Sequence, residues 1–275
     1  MINIGFIGAG NMGFAIMKGI AQSELCVSAD ENAISTDIQL FAYDTDSEKL
    51  KRLEQYNISA CSNTKELAVK CKYIFLAIKP QQLDDVLDEI KDSITDDSVI
   101  ISICAGITGE YIKSKTIPDV KVVLVMPNTP LLLGEGASAL ARVEPVSDEE
   151  FELVCRIFSS CGEIAVIDKE KMKEIIAING SSPAFIYLYA KAFVEYAESV
   201  GIEESVAKKL FAKTLIGSSK MITDSGSTID ELIKMVSSKG GTTLAGLEKL
   251  REGDIEGTVK KACEACTKRA YELSK

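Results

Sequence analysis

The chain has 275 residues, 46% apolar and 26% charged, an ordinary globular composition long enough for one large domain or two smaller ones. Its formal net charge of −10 argues against nucleic acid or an anionic membrane as a partner, so an anionic ligand needs a local positive pocket. It contains no histidine, which excludes any mechanism built on an imidazole acid, base or zinc ligand.

Residues 1–9 are apolar but lack a basic leader and run straight into glycines, so 2–7 read as a first strand and not as a signal peptide. GAGNMG then opens a helix through Gln22. A polar insertion at 23–37 precedes a second strand at 39–43, and a helix is expected at 46–56. YIFLAI at 73–78 reads as a buried strand, followed by Pro80 where first helical turns favour proline. Further strands are expected at 98–103 and 121–126. Ser147-Asp-Glu-Glu150 is a capping box opening a helix that ends near Gly162, and 163–167 supplies the last strand. This alternation predicts a mostly parallel, doubly wound α/β sheet over residues 1–167.

No strand is expected after Asp168. Phe185, Leu188, Tyr189, Ala192, Phe193, Tyr196 and Val200 fall at three- and four-residue steps on a helix from 181 to 200, which Gly201 stops. Further helices are expected at 203–224, 228–236, 242–250 and 257–274. Residues 168–275 thus form an all-α domain, and its broad apolar faces imply a buried homodimer surface. No apolar run approaches bilayer length, so no membrane partner is expected. The eight scattered cysteines, including Cys263 and Cys266 in the helical tail, read as packed thiols of a cytoplasmic protein with no metal site.

Gly8-Ala-Gly10-Asn11-Met12-Gly13 follows a strand and opens a helix, the context that gives a glycine-rich turn its meaning. Gly8 allows the tight turn, Gly10 lets the backbone approach a pyrophosphate, and Gly13 lets the helix pack on the sheet. Asp44, at the end of the second strand, is placed to accept from ribose hydroxyls and to repel a 2′-phosphate. Lys79 and Pro80 in AIKP, Ala105 in the small-residue CAG turn, and Asn128 between Pro127 and Pro130 end the following strands, where open α/β sheets bind ligands. Near the other end, SSKGGTT at 237–243 precedes a helix and offers backbone N–H groups and hydroxyls to a second anion.

Together FIGAGNMG, AIKP, CAG, MPNTP, NGSSPAF (179–185) and SSKGGTTLAG (237–246) resemble, in order, the pyrroline-5-carboxylate reductase family over nearly the whole chain. The resemblance implies a Rossmann domain followed by an intertwined dimerisation domain, assembled as a homodimer or higher oligomer. It implies NADPH or NADH, held by Ile7, Gly8, Gly10, Asn11, Met12 and Gly13, by Tyr43, Asp44 and Thr45, and by Ala77, Lys79, Pro80, Ala105 and Asn128. It implies that the GGTT loop, donated by the partner subunit, holds a cyclic imino acid. Ser238, Gly241, Thr242 and Thr243 are then the substrate residues, with the Thr243 hydroxyl at the ring nitrogen, and the product is L-proline. Lys239 stands where the family has proline, which loosens the loop and adds a cation beside the anion site. A β-hydroxyacid dehydrogenase shares the plan but needs a lysine four residues before an asparagine. Lys171 and Lys173 are followed at that spacing by Ile175 and Ala177. A non-catalytic dinucleotide sensor is the other alternative, and it has no use for the full set of cleft motifs.

Overall fold

A computed structural model describes residues 2–23, 25 and 38–274, so the polar insertion at 23–37, apart from Ser23 and Leu25, lies outside the described residues. β1 (Ile2–Ile7) leads through the glycine turn into α1 (Asn11–Gln22), which buries Ala15, Ile16, Met17 and Ile20 on one face. β2 (Ile38–Tyr43) follows, but the helix expected at 46–56 is broken. α2 (Ser47–Lys51) ends after five residues, a short 3₁₀ turn covers Glu54–Tyr56, and Asn57 turns left-handed at φ 57°. No side chain of α2 is fully buried and only Leu50 packs against the core, too narrow an apolar face to propagate the helix.

β3 (Ser59–Ala60), α3 (Thr64–Lys70), β4 (Tyr73–Leu76) and α4 (Leu83–Ile90) come next, then β5 (Val99–Ser102), α5 (Gly109–Lys115) and β6 (Lys121–Met126). β7 (Gly136–Val143), α6 (Asp148–Ser159) and β8 (Gly162–Val166) complete the sheet. The strand order is β3-β2-β1-β4-β5-β6-β7-β8, parallel except that β7 runs antiparallel to β6. β4 and β5 are buried at every position because helices cover both faces. Phe6 and Phe75, paired across β1 and β4, stack at 4.3 Å in the core. β4 and β5 end earlier than expected, since Ala77–Lys79 and Ile103–Gly106 leave the ladder as turns at the carboxyl edge.

The remaining helices are α7 (Ser182–Ser199), α8 (Glu204–Asp224), α9 (Ile229–Met235), α10 (Thr242–Glu252) and α11 (Ile255–Leu273). Among the described residues no strand follows β8, as expected. By compactness the chain divides into Met1–Ser181 with Cys266–Lys275, and Ser182–Ala265. The first unit therefore runs past the division expected at 167, because Met172 and Ala177 are buried against the sheet and Tyr271 hydrogen-bonds Glu174 at 2.8 Å. Within the second unit, Phe193 of α7 stacks on Phe211 of α8 at 4.3 Å. Tyr187, Leu188, Tyr196 and Leu210 stay more than 60% exposed, an apolar surface that this chain does not cover by itself.

At the amino edge of the sheet Glu150, nearly buried, accepts from Lys121 at 2.8 Å and Lys72 at 2.9 Å, while Lys72 also reaches Asp97 at 2.8 Å. Burial alone would raise the Glu150 carboxyl. The two ammoniums and the Ser147 N–H outweigh it and hold the group at about 2. Glu150→Gln leaves two lysines facing a neutral amide and is expected to lower stability by about 1–3 kcal/mol, read as a fall in Tm. A folded-state pKa below the unfolded value stabilises above the unfolded value, roughly pH 4.3. The gap between wild type and variant should thus be full at neutral pH and close as pH falls toward about 2. A gap independent of pH would show that packing, not charge, is lost.

Candidate active site

β1 and β4 are neighbours whose chains continue to opposite sides, and ligands bind at the carboxyl end of such a switch point. Gly8 has φ 103° and donates to Tyr43 O at 2.8 Å, and Ala77 N–H donates to Ile7 O at 2.9 Å beside it. A Cβ at Gly8 would overlap the Ala77 carbonyl oxygen, and one at Gly13 would overlap Gly8 O, so turn, strand end and helix are in backbone contact. At Gly10 a Cβ would meet nothing within 4 Å among the described residues beyond its chain neighbours. Gly10 is the residue before α1, where helical N–H groups lack partners, and this open face fits a pyrophosphate. Asn11 is exposed and Met12 half-buried there. Ile7, in contrast, is 1% exposed with its side chain in the core, so only its backbone belongs to the site.

Asp44 is turned toward this cradle. Its Oδ2 accepts from Ala9 N–H at 2.8 Å, its Oδ1 from Asp46 N–H at 2.9 Å, and the Lys49 ammonium lies 3.1 Å from Oδ1. Burial works against the charge, but these donors outweigh it and hold the carboxyl below its ordinary value. Tyr43 is half-buried and Thr45 exposed on either side. Sequence reasoning missed Arg52. Its guanidinium hydrogen-bonds Ala9 O and sits 4.2 Å over the Phe14 ring, adding positive charge beneath the glycine turn. It reaches back because α2 ends early, which no local sequence signal announced.

At the next strand ends Ala77 and Pro80 are half-buried and Lys79 exposed. Ala105 is exposed beside Gly106 at φ 78°. Cys104 donates to Ile78 O at 3.3 Å, and burial pushes its thiol up to about 11, so it joins two strand ends and is no nucleophile. Asn128 is 9% exposed and its Oδ1 accepts from Ala137 N–H at 2.9 Å. The expected free polar contact is therefore half committed to holding β7, leaving the amide N–H groups for a ligand.

In the second unit Thr242 and Thr243 open α10, with Gly241 before them lacking a side-chain cap. The Gly241 N–H is among the donors this loop offers to a carboxylate. In the free chain that N–H donates to Ser238 O at 3.0 Å, tightening the loop, and the N–H groups of Thr242, Thr243 and Leu244 have no partner among the described residues. Ser238, Lys239, Thr242 and Thr243 are all exposed. Among the described residues no group of three or more cysteine, aspartate or glutamate side chains gathers where a metal ion could be held.

Residues 169–273 match the family described as pyrroline-5-carboxylate reductase dimerisation, and 3–106 match NADP oxidoreductase coenzyme F420-dependent. The chain is 33% identical over 273 residues to pyrroline-5-carboxylate reductase of Escherichia coli, covering 99% of this chain and 98% of that one. The chain belongs to the pyrroline-5-carboxylate reductase family.

Solved structures agree. The Plasmodium falciparum pyrroline carboxylate reductase with NADP bound is 30% identical, covers 100% of this chain and 98% of its own, and superposes with a TM-score of 0.87. The Coxiella burnetii pyrroline-5-carboxylate reductase is 29% identical, with coverage of 100% and 99% and a TM-score of 0.86. Like these members of the pyrroline-5-carboxylate reductase family, the chain is an oxidoreductase with a Rossmann-like sheet and a helical dimerisation domain. The glycine turn, with its open Gly10 face and α1 start, fits the NAD(P)H expected in the pyrroline-5-carboxylate reductase family.

Proposed function

We infer that the chain reduces 1-pyrroline-5-carboxylate to L-proline with NADPH or NADH, the last step of proline biosynthesis. The observation that carries this reading is one chain bearing two anion cradles, one at Gly8–Gly13 and one before α10, in a whole-length relative of reductases so named. Gly8, Gly10, Asn11, Met12 and Gly13 would hold the pyrophosphate, Tyr43, Asp44 and Thr45 the ribose, and Ala77, Lys79, Pro80, Ala105 and Asn128 the nicotinamide half. Bound there, the dinucleotide supplies a hydride to the imine carbon. The N–H groups of Thr242 and Thr243, with Ser238 and the α10 dipole, take the substrate carboxylate. The Thr243 hydroxyl, exposed and without a hydrogen-bond partner among the described residues, holds the ring nitrogen. An imine nitrogen is basic enough to need no strong general acid, which suits a chain without histidine.

Residues 168–275 act in this reading as the dimerisation and substrate half, and the enzyme works in the cytoplasm as a homodimer or larger assembly. Among the described residues no helix is long and apolar enough to cross a membrane. Loss of nicotinamide absorbance on adding pyrroline-5-carboxylate tests the activity. NADH binding without turnover would favour the sensor reading instead.

Asp44 sets the cofactor prediction. A 2′-phosphate beside it meets like-charge repulsion of roughly 1–4 kcal/mol, and Lys49 at 3.1 Å moves the effect to the lower end. NADH is therefore expected to serve at least as well as NADPH. Asp44→Ser should shift the ratio of kcat/KM values toward NADPH by about tenfold. A strong wild-type preference for NADPH would contradict this.

A further inference from the structure

Asn179 lies three residues before α7, in a π-helical turn over Ile176–Gly180 that the Ser181 N–H closes on Ile176 O at 2.8 Å. Such turns are rare and concentrate at functional sites. The Asn179 amide donates to Met126 O at 2.7 Å and to Ala137 O at 3.1 Å. Two carbonyl oxygens can only accept, so the amide nitrogen must face them and the orientation of the side chain is fixed. Its Oδ1 is then left buried with no partner. A buried acceptor without a donor is a stability loss that asks for an explanation.

The two bonds that fix the amide nitrogen lead, through Ala137, to a second amide. The Ala137 carbonyl accepts from Asn179, and the Ala137 N–H donates to Asn128 Oδ1 at 2.9 Å. Met126, the other acceptor, is the last residue of β6, two before Asn128. Both ends of the turn Met126-Pro127-Asn128 are thus anchored, at Met126 by Asn179 directly and at Asn128 through Ala137. β6 and β7 separate here: their ladder ends at Met126 and Ala139, while Ala137 stays paired with β8 and so offers a fixed point to the turn.

We propose that Asn179 is a positioning residue of the reductase: it holds the Met126–Asn128 turn, and with it the Asn128 amide, in the arrangement that receives the nicotinamide half of the cofactor. The inference rests on the reductase reading.

The test uses Asn179→Ser, which keeps one short donor, and Asn179→Asp, which sets a carboxylate against two carbonyl oxygens. Each is measured by thermal melting, by binding of NADH and of ADP-ribose, and by turnover. ADP-ribose lacks only the nicotinamide ring and reports the glycine cradle and the ribose contacts without it. The expected result is an unchanged Kd for ADP-ribose, a Kd for NADH about tenfold weaker, and a kcat lower by about ten- to a hundredfold, larger for the aspartate. Asn128→Ser combined with Asn179→Ser should lose less than the product of the single effects, because the two share Ala137. Three results would overturn the proposal: a lower Tm with wild-type kcat and NADH affinity, equal losses for NADH and ADP-ribose, or additive single effects. A wild type that binds NADH but reduces no imine would sink the reductase reading, while the two binding measurements would still decide the role of Asn179.

Discussion

Gly10→Ala is expected to fold as stably as the wild type and to bind NADH about a hundredfold more weakly. Gly10 has φ −64° and ψ −174°, which alanine adopts freely, and among the described residues the added methyl meets nothing within 4 Å beyond its chain neighbours. The same methyl occupies the face on which a pyrophosphate would lie, and overpacking of a close contact costs about 1–3 kcal/mol, up to a hundredfold or so in affinity. Gly8→Ala separates the two effects. Its φ of 103° is strained for any side chain, and its Cβ would strike the Ala77 carbonyl, which cannot retreat because Ala77 N–H is bonded to Ile7 O at 2.9 Å. That variant should lose both cofactor and stability, the latter by about 2–4 kcal/mol. Melting curves and NADH titrations of both variants check the contrast. Wild-type affinity in Gly10→Ala would mean that the pyrophosphate lies elsewhere.

The contrast between the two glycines marks what could be read from sequence. Local chemistry was legible: the glycine turn, the Ser147–Glu150 capping box and the branched apolar strands β1 and β6 form where expected. β7 was not, because Gly136, Ala137, Ser138 and Ala139 are small residues without strand preference, held by pairing with β6 and β8. α3 had a readable signal, since Asn63 accepts from Glu66 N–H at 2.8 Å as a cap, but seven residues are too few to show a period. At the site, residue identity was legible and commitment was not. The sequence places Asp44, Asn128 and Gly241 near ligands, but it cannot show that Ala9 N–H, Ala137 N–H and Ser238 O already engage them. Those partners lie 35, 9 and 3 residues away, and only the fold selects them. Arg52 and Asn179 escaped for the same reason, each acting through backbone carbonyls distant in sequence.

Mixing Gly10→Ala chains with Thr243→Ala chains is expected to restore activity that neither has alone. Thr243→Ala removes the hydroxyl proposed at the imine nitrogen, a bond worth roughly 1–3 kcal/mol in the transition state, or about ten- to a hundredfold in kcat. Its NADH affinity should be unchanged, since the glycine cradle is untouched. If the loop before α10 serves the partner's cradle, a mixed dimer has one site with both defects and one with neither. Random pairing makes half of the dimers mixed, so recovery should approach about a quarter of wild-type activity. The helical unit favours such pairing, because Tyr187, Leu188, Tyr196 and Leu210 leave an uncovered apolar surface in the part of the chain that matches the dimerisation family. If each site were instead built from one chain, every site in the mixture would carry one defect. Activity in verified mixed dimers would then stay at the average of the two parents, and the loop would be assigned to its own chain.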